Sequence, residues 1–317
     1  MNHSRQRPDL AMVFPGQGSQ SVGMLSELAA VLPIVKDTFS EASEWLGYDL
    51  WLRCSEGPAA LLNQTTCTQP ALLTAGVATW RCWSQRTDQL PATMAGHSLG
   101  EYTALVCAGA IGFSDAVKLV EKRGMYMQNA VPEGEGAMAV ILGLEDGQVK
   151  TVCAEAAEDE IVGAVNFNSP GQVVIAGNTA AVTRAMQLAK AAGAKRALPL
   201  PVSVPSHCSL MLPAAEAFAA DLAKVSISAP AIPVLHNADV EFHNEPDAIR
   251  EALTGQLYKP VRWVEIIRAM RVAGITSVLE MGPGKVLAGL NKRIDKTLPC
   301  LAVQTPEELE DALALVG

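Results

Sequence analysis

Two short apolar segments of the sequence each run directly into a glycine-rich turn and then into a helical pattern. The segments are residues 11–14, which precede Pro15-Gly16-Gln17-Gly18, and residues 92–95, which precede Gly96-His97-Ser98-Leu99-Gly100. A strand that leads through a glycine turn into a helix is the repeating unit of parallel sheets whose faces are covered by helices. The repetition therefore predicts an α/β fold with a parallel sheet.

The middle of the chain follows a different pattern. Between residues 131 and 204, apolar segments and helical periodicity give the order βαββαβ, with a turn around Ser169-Pro170-Gly171 between the second and third strands. This order is typical of a ferredoxin-like domain, and strand and glycine-turn patterns resume after it. We therefore predict a large α/β domain formed by residues 1–130 and 205–317, with a small ferredoxin-like subdomain inserted at residues 131–204.

The second glycine turn has the spacing G-x-S-x-G, which places a serine on a sharp bend between a strand and a helix. In this chain the motif is Gly96-His97-Ser98-Leu99-Gly100, with an apolar segment before it and a helical pattern after it. Small residues on both sides allow the chain to bend and expose the serine hydroxyl. Ser98 is therefore the candidate nucleophile, and the alternative is an ordinary turn serine.

A serine nucleophile needs a base, and the sequence has five histidines. His207 follows an extended, proline-rich segment at the predicted domain junction, from which it could reach a serine at the end of the sheet. The order serine, then histidine fits an α/β-hydrolase-like core, although no acidic partner for the histidine is evident. A structural role is the alternative for His207. The other four lie in the N-terminal tail, within the motif, at a strand end and in a polar loop, and are weaker candidates: His3, His97, His236 and His243.

The first glycine turn, Gly16-Gln17-Gly18-Ser19-Gln20-Ser21, begins like a dinucleotide-binding loop. It has Ser21 where that fingerprint requires glycine or alanine, and Asp37, at the spacing of the expected acid, lies in a helical pattern. The alternative is that this turn lends a backbone N–H to an oxyanion hole, whose second donor is the N–H of Leu99, directly after the nucleophile. We favour the second interpretation.

Arg123 interrupts the apolar face of its own helix. The positions that share this face are otherwise apolar, whereas the charged residues of the segment lie on the opposite side. An internal ion pair, or a side chain that extends to solvent, is one explanation. The other is a guanidinium that binds the carboxylate of a ligand, since its planar donors match two oxygens. A buried charge left unpaired costs about 3–5 kcal/mol, so a substrate without the carboxylate would be rejected.

The charge and cysteine content argue against several other functions. A net charge of −9 and a pI near 5.1 are unfavourable for binding the phosphate backbone of nucleic acids. The seven cysteines include no C-x-x-C pair, which is typical of a reducing compartment and argues against a zinc site or a disulfide framework. No apolar segment approaches the roughly 18 residues of a membrane helix. We expect a soluble, cytoplasmic monomer without nucleic-acid or membrane partners.

Several stretches together resemble one family, the malonyl-CoA:acyl carrier protein transacylases of fatty acid synthesis. They occur in the family's order and span nearly the whole chain, which is far more specific than any single motif. The stretches are Phe14-Pro15-Gly16-Gln17-Gly18-Ser19-Gln20, Gly96-His97-Ser98-Leu99-Gly100-Glu101-Tyr102, Arg123, Val202-Ser203-Val204-Pro205-Ser206-His207-Cys208, Gln256-Leu257-Tyr258-Lys259-Pro260-Val261-Arg262-Trp263 and Gly282-Pro283-Gly284-Lys285. The resemblance implies an acyltransferase. It also implies a ferredoxin-like insertion, which the residue pattern predicts independently.

The resemblance also implies roles in catalysis. Ser98 would be the nucleophile and His207 its base, and the backbone N–H groups of Gln17 and Leu99 would form the oxyanion hole. In this family a backbone carbonyl orients the histidine, here near Gln256, in place of an aspartate. A backbone carbonyl in that role would explain why the sequence shows no acidic partner for His207.

The implied reaction moves a malonyl group from malonyl-CoA to the phosphopantetheine thiol of holo acyl carrier protein, through a malonyl-serine intermediate and a ping-pong mechanism. Arg123 would bind the malonyl carboxylate, and Asn168 and Gln256 are counted with it as substrate-binding residues. No metal or protein-bound cofactor is expected, because phosphopantetheine is carried by the two substrates. The carrier is acidic in this family, and the candidate docking charges are Lys190, Lys195, Arg196, Lys285, Lys292 and Arg293.

Three alternative functions differ in what they require of the site. A serine esterase or thioesterase would share Ser98 and His207 but would not need Arg123. A malonyl loader of a polyketide synthase would use the same residues with a different carrier protein. A non-catalytic module that binds carrier proteins would tolerate the loss of Ser98.

Overall fold

The computed structural model describes residues 6–202 and 204–316. The strands within these ranges are β1 Gln6–Phe14, β2 Leu90–Gly96, β3 Gly136–Leu142, β4 Val162–Ser169, β5 Gln172–Asn178, β6 Arg196–Pro199, β7 Val234–Leu235, β8 Ser277–Met281 and β9 Cys300–Val303. The helices are α1 Ser26–Val31, α2 Ile34–Leu46, α3 Leu50–Ser55, α4 Ala59–Leu62, α5 Thr65–Arg86, α6 Gly100–Cys107, α7 Phe113–Asn129, α8 Asp146–Ala157, α9 Thr179–Ala191, α10 Leu212–Leu222, α11 Pro246–Gln256, α12 Trp263–Val272, α13 Val286–Ile294 and α14 Pro306–Val316, with a 3₁₀ turn at Ser209–Met211. His3 and Ser203, which were named above, lie outside the described residues. Across these ranges, no helix combines the length and the apolarity that a membrane span needs.

The larger sheet has five parallel strands in the order β7-β2-β1-β8-β9. Strands β1 and β2 are neighbours, and their pairing ends with Phe14 opposite Gly96. The two glycine turns that follow these strands therefore lie side by side at the carboxyl edge of the sheet, where ligands bind in open α/β sheets. The α/β fold predicted from the repeated strand–turn–helix unit is confirmed.

Helices cover both faces of this sheet. Alternate side chains of a strand point to opposite faces, and in β1 they enter two different apolar clusters. Leu10, Met12 and Phe14 pack with residues of α5 and α7, whereas Ala11 and Val13 pack with residues of α12 and α13. Burial on both faces explains why this segment is continuously apolar in the sequence. The strand begins earlier than the apolar pattern indicates, at Gln6, because its first residues are partly exposed.

The smaller sheet is antiparallel, with four strands in the order β4-β5-β3-β6. Its elements follow the chain order βαββαβ, and α8 and α9 pack against it around a separate apolar cluster. The predicted ferredoxin-like insertion is therefore present as a separate sheet, with all of its elements between Gly136 and Pro199. The exact subdomain boundaries, at residues 131 and 204, stay predictions.

Edge strand β4 connects the smaller sheet to the rest of the molecule. The Phe167 N–H donates to the carbonyl oxygen of Val261 at 3.0 Å, and the Val261 N–H donates to that of Val165 at 2.8 Å. These bonds hold β4 against the segment between α11 and α12. As a result, Asn166 and Asn168 on β4 line a cleft together with Ser98.

Candidate active site

Ser98 lies on the bend at residues 96–100 between β2 and α6, which we call the elbow. Its φ of 50° is in the left-handed region that non-glycine residues rarely adopt. The flanking glycines permit this bend, because a Cβ on Gly96 would overlap the backbone of Gly100, and a Cβ on Gly100 would overlap the carbonyl of Phe14. The elbow therefore packs directly against the end of β1 and leaves Ser98 at the surface of the cleft.

His207 and Ser98 form a hydrogen-bonded pair. Ser98 Oγ lies 2.8 Å from His207 Nε2, and His207 Nδ1 lies 2.7 Å from the main-chain carbonyl oxygen of Gln256. Because a carbonyl oxygen can only accept, Nδ1 carries the proton and Nε2 is left to accept the hydrogen bond of the Ser98 hydroxyl. A backbone carbonyl thus orients the imidazole at the position where a catalytic triad has a carboxylate.

The environment of His207 keeps its imidazole neutral. Burial, assisted by the positive charge of Arg123, lowers the pKa of His207 to about 3, and the hydrogen bond to Gln256 only partly opposes this shift. The residue is therefore unprotonated at neutral pH. This is the protonation state that can accept a proton from Ser98.

Arg123 is 1% exposed and reaches the cleft from α7. Its Nη1 donates to Gln69 Oε1 at 2.8 Å, and its Nη2 donates to Gln256 Oε1 at 2.9 Å and to Ser98 Oγ at 3.3 Å. These acceptors are all neutral, and none of the ion pairs found among residues 6–202 and 204–316 includes Arg123. A buried, uncompensated cation therefore lies beside the candidate nucleophile, which favours a site for an anionic ligand.

Gln17 and Leu99 lie in the two adjacent turns and both line the cleft. Neither main-chain N–H donates a hydrogen bond to another residue in the part of the chain that the structure describes. The Gln17 side chain contacts Thr65 Oγ1 at 3.4 Å, which links the first turn to the start of α5. Two free N–H groups beside a serine are the donors that an oxyanion hole requires.

Asn168 reaches the site from the smaller sheet. Its Oδ1 accepts a hydrogen bond from His97 Nε2 at 2.8 Å, and the His97 ring packs against Trp263 at a centroid distance of 5.6 Å. Burial lowers the pKa of His97, so this ring is neutral. His97 Nε2 thus contacts Asn168 instead of the Ser98 hydroxyl, and the residue links the elbow to β4.

Gln256 lies behind the cleft and does not line it. The residue is fully buried, and its side chain accepts from Arg123 and donates to the main-chain carbonyl of Ser98 at 3.0 Å. It was grouped above with the substrate-binding residues. The structure instead places its side chain and carbonyl against Arg123, Ser98 and His207, which it orients.

The cleft between the two sheets encloses about 190 Å³. The polar residues described above and Ser206 line part of it, and the remaining wall is apolar, formed by Met127, Met138, Val174, Leu200, Val202 and Val204. An apolar wall beside a serine and a cation suits a flexible chain that carries an anionic acyl group.

Comparison with known proteins identifies the family. Residues 11–298 match the family model described as the acyl transferase domain. The malonyl CoA-acyl carrier protein transacylase of Salmonella typhimurium is 59% identical over 303 residues, which cover 96% of this chain and 98% of the relative. The chain belongs to the malonyl-CoA:acyl carrier protein transacylase family. It is an acyltransferase, as the resemblance implied.

Solved structures of this family have the same fold as the chain. An acyl carrier protein S-malonyltransferase from Vibrio cholerae matches with a TM-score of 0.94 and 58% identity, covering 96% of this chain and 99% of that one. A second match lies in a complex of a type II polyketide synthase acyl carrier protein with its malonyl-transacylase. That match has a TM-score of 0.96 and 55% identity, and covers 97% of this chain and 99% of that one.

Three residues at the site of this family member were not predicted from its sequence. Asn166 is a polar residue between the buried, apolar Val165 and Phe167, and this contrast could have identified it. Gln69 follows three threonines at the start of α5, so no such contrast marks it. Asn166 also precedes Asn168 by two residues, which is the period of a strand. Asn237 follows β7, and its Oδ1 accepts a hydrogen bond from the Ser98 N–H at 2.7 Å. No local sequence signal marks Asn237, because its role depends on the tertiary fold.

The remaining histidines lie away from the Ser98 hydroxyl. His236 is buried and bonded to Glu101 Oε1, and His243 is bonded to Asp239 Oδ2, each at 2.8 Å. Neither lines the cleft. The structure thus places only His207 in contact with the serine hydroxyl among the histidines it describes.

Proposed function

We propose that the protein transfers the malonyl group of malonyl-CoA to the phosphopantetheine thiol of acyl carrier protein and so supplies extender units for fatty acid synthesis. The observation that carries this proposal is the position of Arg123, whose buried guanidinium lies 3.3 Å from Ser98 Oγ without a carboxylate partner among the described residues. The malonyl carboxylate would provide that partner. Family membership and the names of the relatives support the same substrates.

The first half-reaction acylates the serine. His207 Nε2 takes the proton of the Ser98 hydroxyl as Oγ attacks the thioester carbonyl of malonyl-CoA. The N–H groups of Gln17 and Leu99 donate to the negative oxygen of the tetrahedral intermediate. The C–S bond then breaks, CoA leaves as its thiol with the proton returned by His207, and malonyl-Ser98 remains.

The second half-reaction uses the same groups in reverse. The phosphopantetheine thiol of the carrier gives its proton to His207 Nε2 and attacks the malonyl ester of Ser98. The C–O bond breaks, and the proton returns to Ser98 Oγ. Because the thioester is already activated and phosphopantetheine is carried by the two substrates, we propose that the enzyme needs no metal and no resident cofactor.

We further propose that the carrier docks beside the hairpin between β4 and β5. Arg293 Nη1 donates to Gln172 Oε1 at this hairpin, and Arg196 pairs with Leu142, the same residue that Gln172 pairs with from the other side. The hairpin directly follows Asn168, which lines the cleft. Lys195 and Lys292 are adjacent in sequence to Arg196 and Arg293. Lys285 is already paired with Glu308 at 2.6 Å, so we expect it to contribute less.

The decisive experiment mixes the enzyme, malonyl-CoA and holo acyl carrier protein and follows both proteins by intact mass, with Ser98→Ala as the control. A malonyl adduct on the enzyme that passes to the carrier would support the proposal. Free malonate with an unmodified carrier would instead indicate a thioesterase. Carrier binding without adduct or turnover would indicate a non-catalytic module.

The carrier pathway is tested by offering two carriers in competition. The solved relative bound to a type II polyketide synthase carrier makes malonyl loading of a polyketide synthase the second candidate. A higher kcat/KM for a fatty acid synthase carrier than for a polyketide carrier would support the first proposal, and the reverse order would support the second. A cytoplasmic location, a monomeric state and the lack of nucleic-acid or membrane partners stay predictions from the sequence.

A further inference from the structure

The elbow rests on a buried polar network that the reaction described above does not use. Glu101, in the first turn of α6, and His236, directly after β7, have side chains that are 0% and 1% exposed. Glu101 Oε1 accepts a hydrogen bond from His236 Nδ1 at 2.8 Å, and Oε2 accepts one from the main-chain N–H of Asn237 at 2.8 Å. One carboxylate thus fixes two successive residues of the loop after β7.

The side chain of Asn237 in turn holds the elbow on both sides of His97. Asn237 Oδ1 accepts from the Ser98 N–H at 2.7 Å, and Nδ2 donates to the carbonyl oxygen of Gly96 at 2.7 Å. Asn237 is fully buried, so its side chain, and not water, satisfies these two backbone groups. The left-handed φ of Ser98 is a strained conformation, which persists only where the surroundings hold it in place.

We propose that Glu101, His236 and Asn237 are positioning residues that hold the Ser98 backbone in the geometry required for nucleophilic attack. Glu101 and His236 fix the loop, and Asn237 transmits that constraint to the Ser98 N–H. The next peptide carries the Leu99 N–H, the proposed oxyanion donor. A shift of the elbow therefore displaces the hydroxyl and the oxyanion donor together. This inference rests on Ser98 being the nucleophile but not on the identity of the acyl group or the carrier.

The charges around this network favour an ion pair between Glu101 and His236. Burial disfavours the imidazolium, but the Glu101 charge and hydrogen bond outweigh burial and raise the pKa of His236. The other titratable groups that face His236 lie in the loop after β7. Asp239 favours the imidazolium, and His243 stacks at a ring distance of 4.9 Å and donates to Asp239. His236 therefore compensates a carboxylate that would otherwise be unpaired inside the protein.

The test compares two substitutions of one residue with a matched control elsewhere. His236→Leu keeps bulk and removes the donor to Glu101, whereas His236→Asn restores an N–H donor close to the position of Nδ1. Glu280→Gln is the control, because Glu280 is an equally buried carboxylate that accepts from the N–H groups of Leu287 and Ala288 and not from the elbow.

The main measurement is the second-order rate at which an alkyl fluorophosphonate labels Ser98, followed by intact mass, with Ser98→Ala as the blank. This reaction requires neither malonyl-CoA nor carrier protein. An enzyme that reacts with the probe but transfers no malonyl group would refute the proposed function and leave the present inference open to the same test. The thermal unfolding midpoint of each variant, and kcat and KM for malonyl transfer, are measured alongside.

We expect His236→Leu to be labelled about ten- to a hundredfold more slowly, since a displacement of about 1 Å in an active site can cost about a hundredfold. The kcat for malonyl transfer should fall by a similar factor with little change in KM, and His236→Asn should recover most of the loss. Glu280→Gln should lower the unfolding midpoint without slowing the labelling.

Two results would overturn the proposal. One is a His236→Leu enzyme that unfolds at a lower temperature but is labelled at the original rate, and the other is a His236→Asn enzyme that reacts as slowly as His236→Leu. If His236→Leu does not fold, Glu101→Gln takes its place, because it keeps an acceptor for the Asn237 N–H and loses the one for His236. An unchanged labelling rate in that variant would equally overturn the proposal.

Discussion

The two glycine turns at the carboxyl edge of the larger sheet follow neighbouring strands but contribute different groups to the site. After β2, the chain bends so sharply that Ser98 adopts a φ of 50° and presents its hydroxyl to the cleft. After β1, the turn leaves the Gln17 N–H without a hydrogen-bond acceptor among the described residues. The second turn thus supplies a side chain together with the Leu99 N–H, whereas the first turn supplies a backbone N–H. The register that sets Phe14 opposite Gly96 brings these contributions together.

The strongest test of this comparison removes a hydroxyl from each turn. Ser98→Ala should lower malonyl transfer by about 10⁴-fold or more, since residues of a nucleophile–base pair act as a unit. Ser19→Ala, the matched change in the first turn, should retain most of the activity, because that turn is proposed to act through its backbone. Steady-state transfer rates, measured with the unfolding midpoints of both variants, compare the two changes. Equal losses in the two variants would contradict the division of roles.

Arg123 is expected to select the acyl group, whereas the two turns carry out the attack on it. Arg123→Ala should lower transfer from malonyl-CoA about a hundred- to a thousandfold relative to transfer from acetyl-CoA, because only malonyl carries a carboxylate to pair with the buried guanidinium. Arg123→Lys should show a preference for malonyl-CoA between those of the unmodified enzyme and Arg123→Ala, since it keeps the charge but loses the planar pair of donors. The measurement is the ratio of kcat/KM for the two acyl-CoA substrates. An unchanged ratio in Arg123→Ala would show that Arg123 does not select the acyl group.

The same arginine also affects the base, and this effect has a predictable sign. A base must be unprotonated to act, so acylation is lost as pH falls through the pKa of His207, which burial and Arg123 lower to about 3. Removing the guanidinium in Arg123→Gln takes away one of the causes that lower this pKa, while burial and the His97 ring remain. The acid limb of kcat/KM for acetyl-CoA should therefore move to higher pH than in the unmodified enzyme. A limb that stays in place, or moves to lower pH, would mean that Arg123 does not act on His207.

The sequence was most informative where a function depends on local geometry. The glycines around Ser98 and the lone arginine on an apolar helix face are local patterns, and both residues lie in the cleft as expected. The contact between Ser98 and His207 could be inferred only from their order and from the family resemblance. The backbone carbonyl of Gln256 could not be found as the orienting group from the residue pattern alone, because every residue has a carbonyl.

Residues that act through tertiary contacts were missed for a related reason. Asn237 meets Ser98 across 139 positions of the chain, and Gln69 meets Arg123 across 54. Neither spacing has a period that a helix or strand would impose. From the sequence, His236 was only a weaker candidate for the base. Its partner Glu101 lies in the first turn of a helix, where a carboxylate needs no further explanation.

The smallest expected effect concerns the glycines of the two turns. Gly18 in the first turn has a φ of 102° and no heavy atom near the position of an added Cβ, so Gly18→Ala should cost only backbone strain, about 1–2 kcal/mol of unfolding free energy. Gly100→Ala in the second turn should cost more, because its Cβ would overlap the carbonyl of Phe14 and separate β1 from the elbow. Denaturant unfolding of both variants measures the difference, and Ser98 labelling should slow only in Gly100→Ala. If Gly18→Ala proved the more damaging change, the first turn would depend on its exact backbone path as strongly as the second, and the contrast between a rigid elbow and a permissive turn would be wrong.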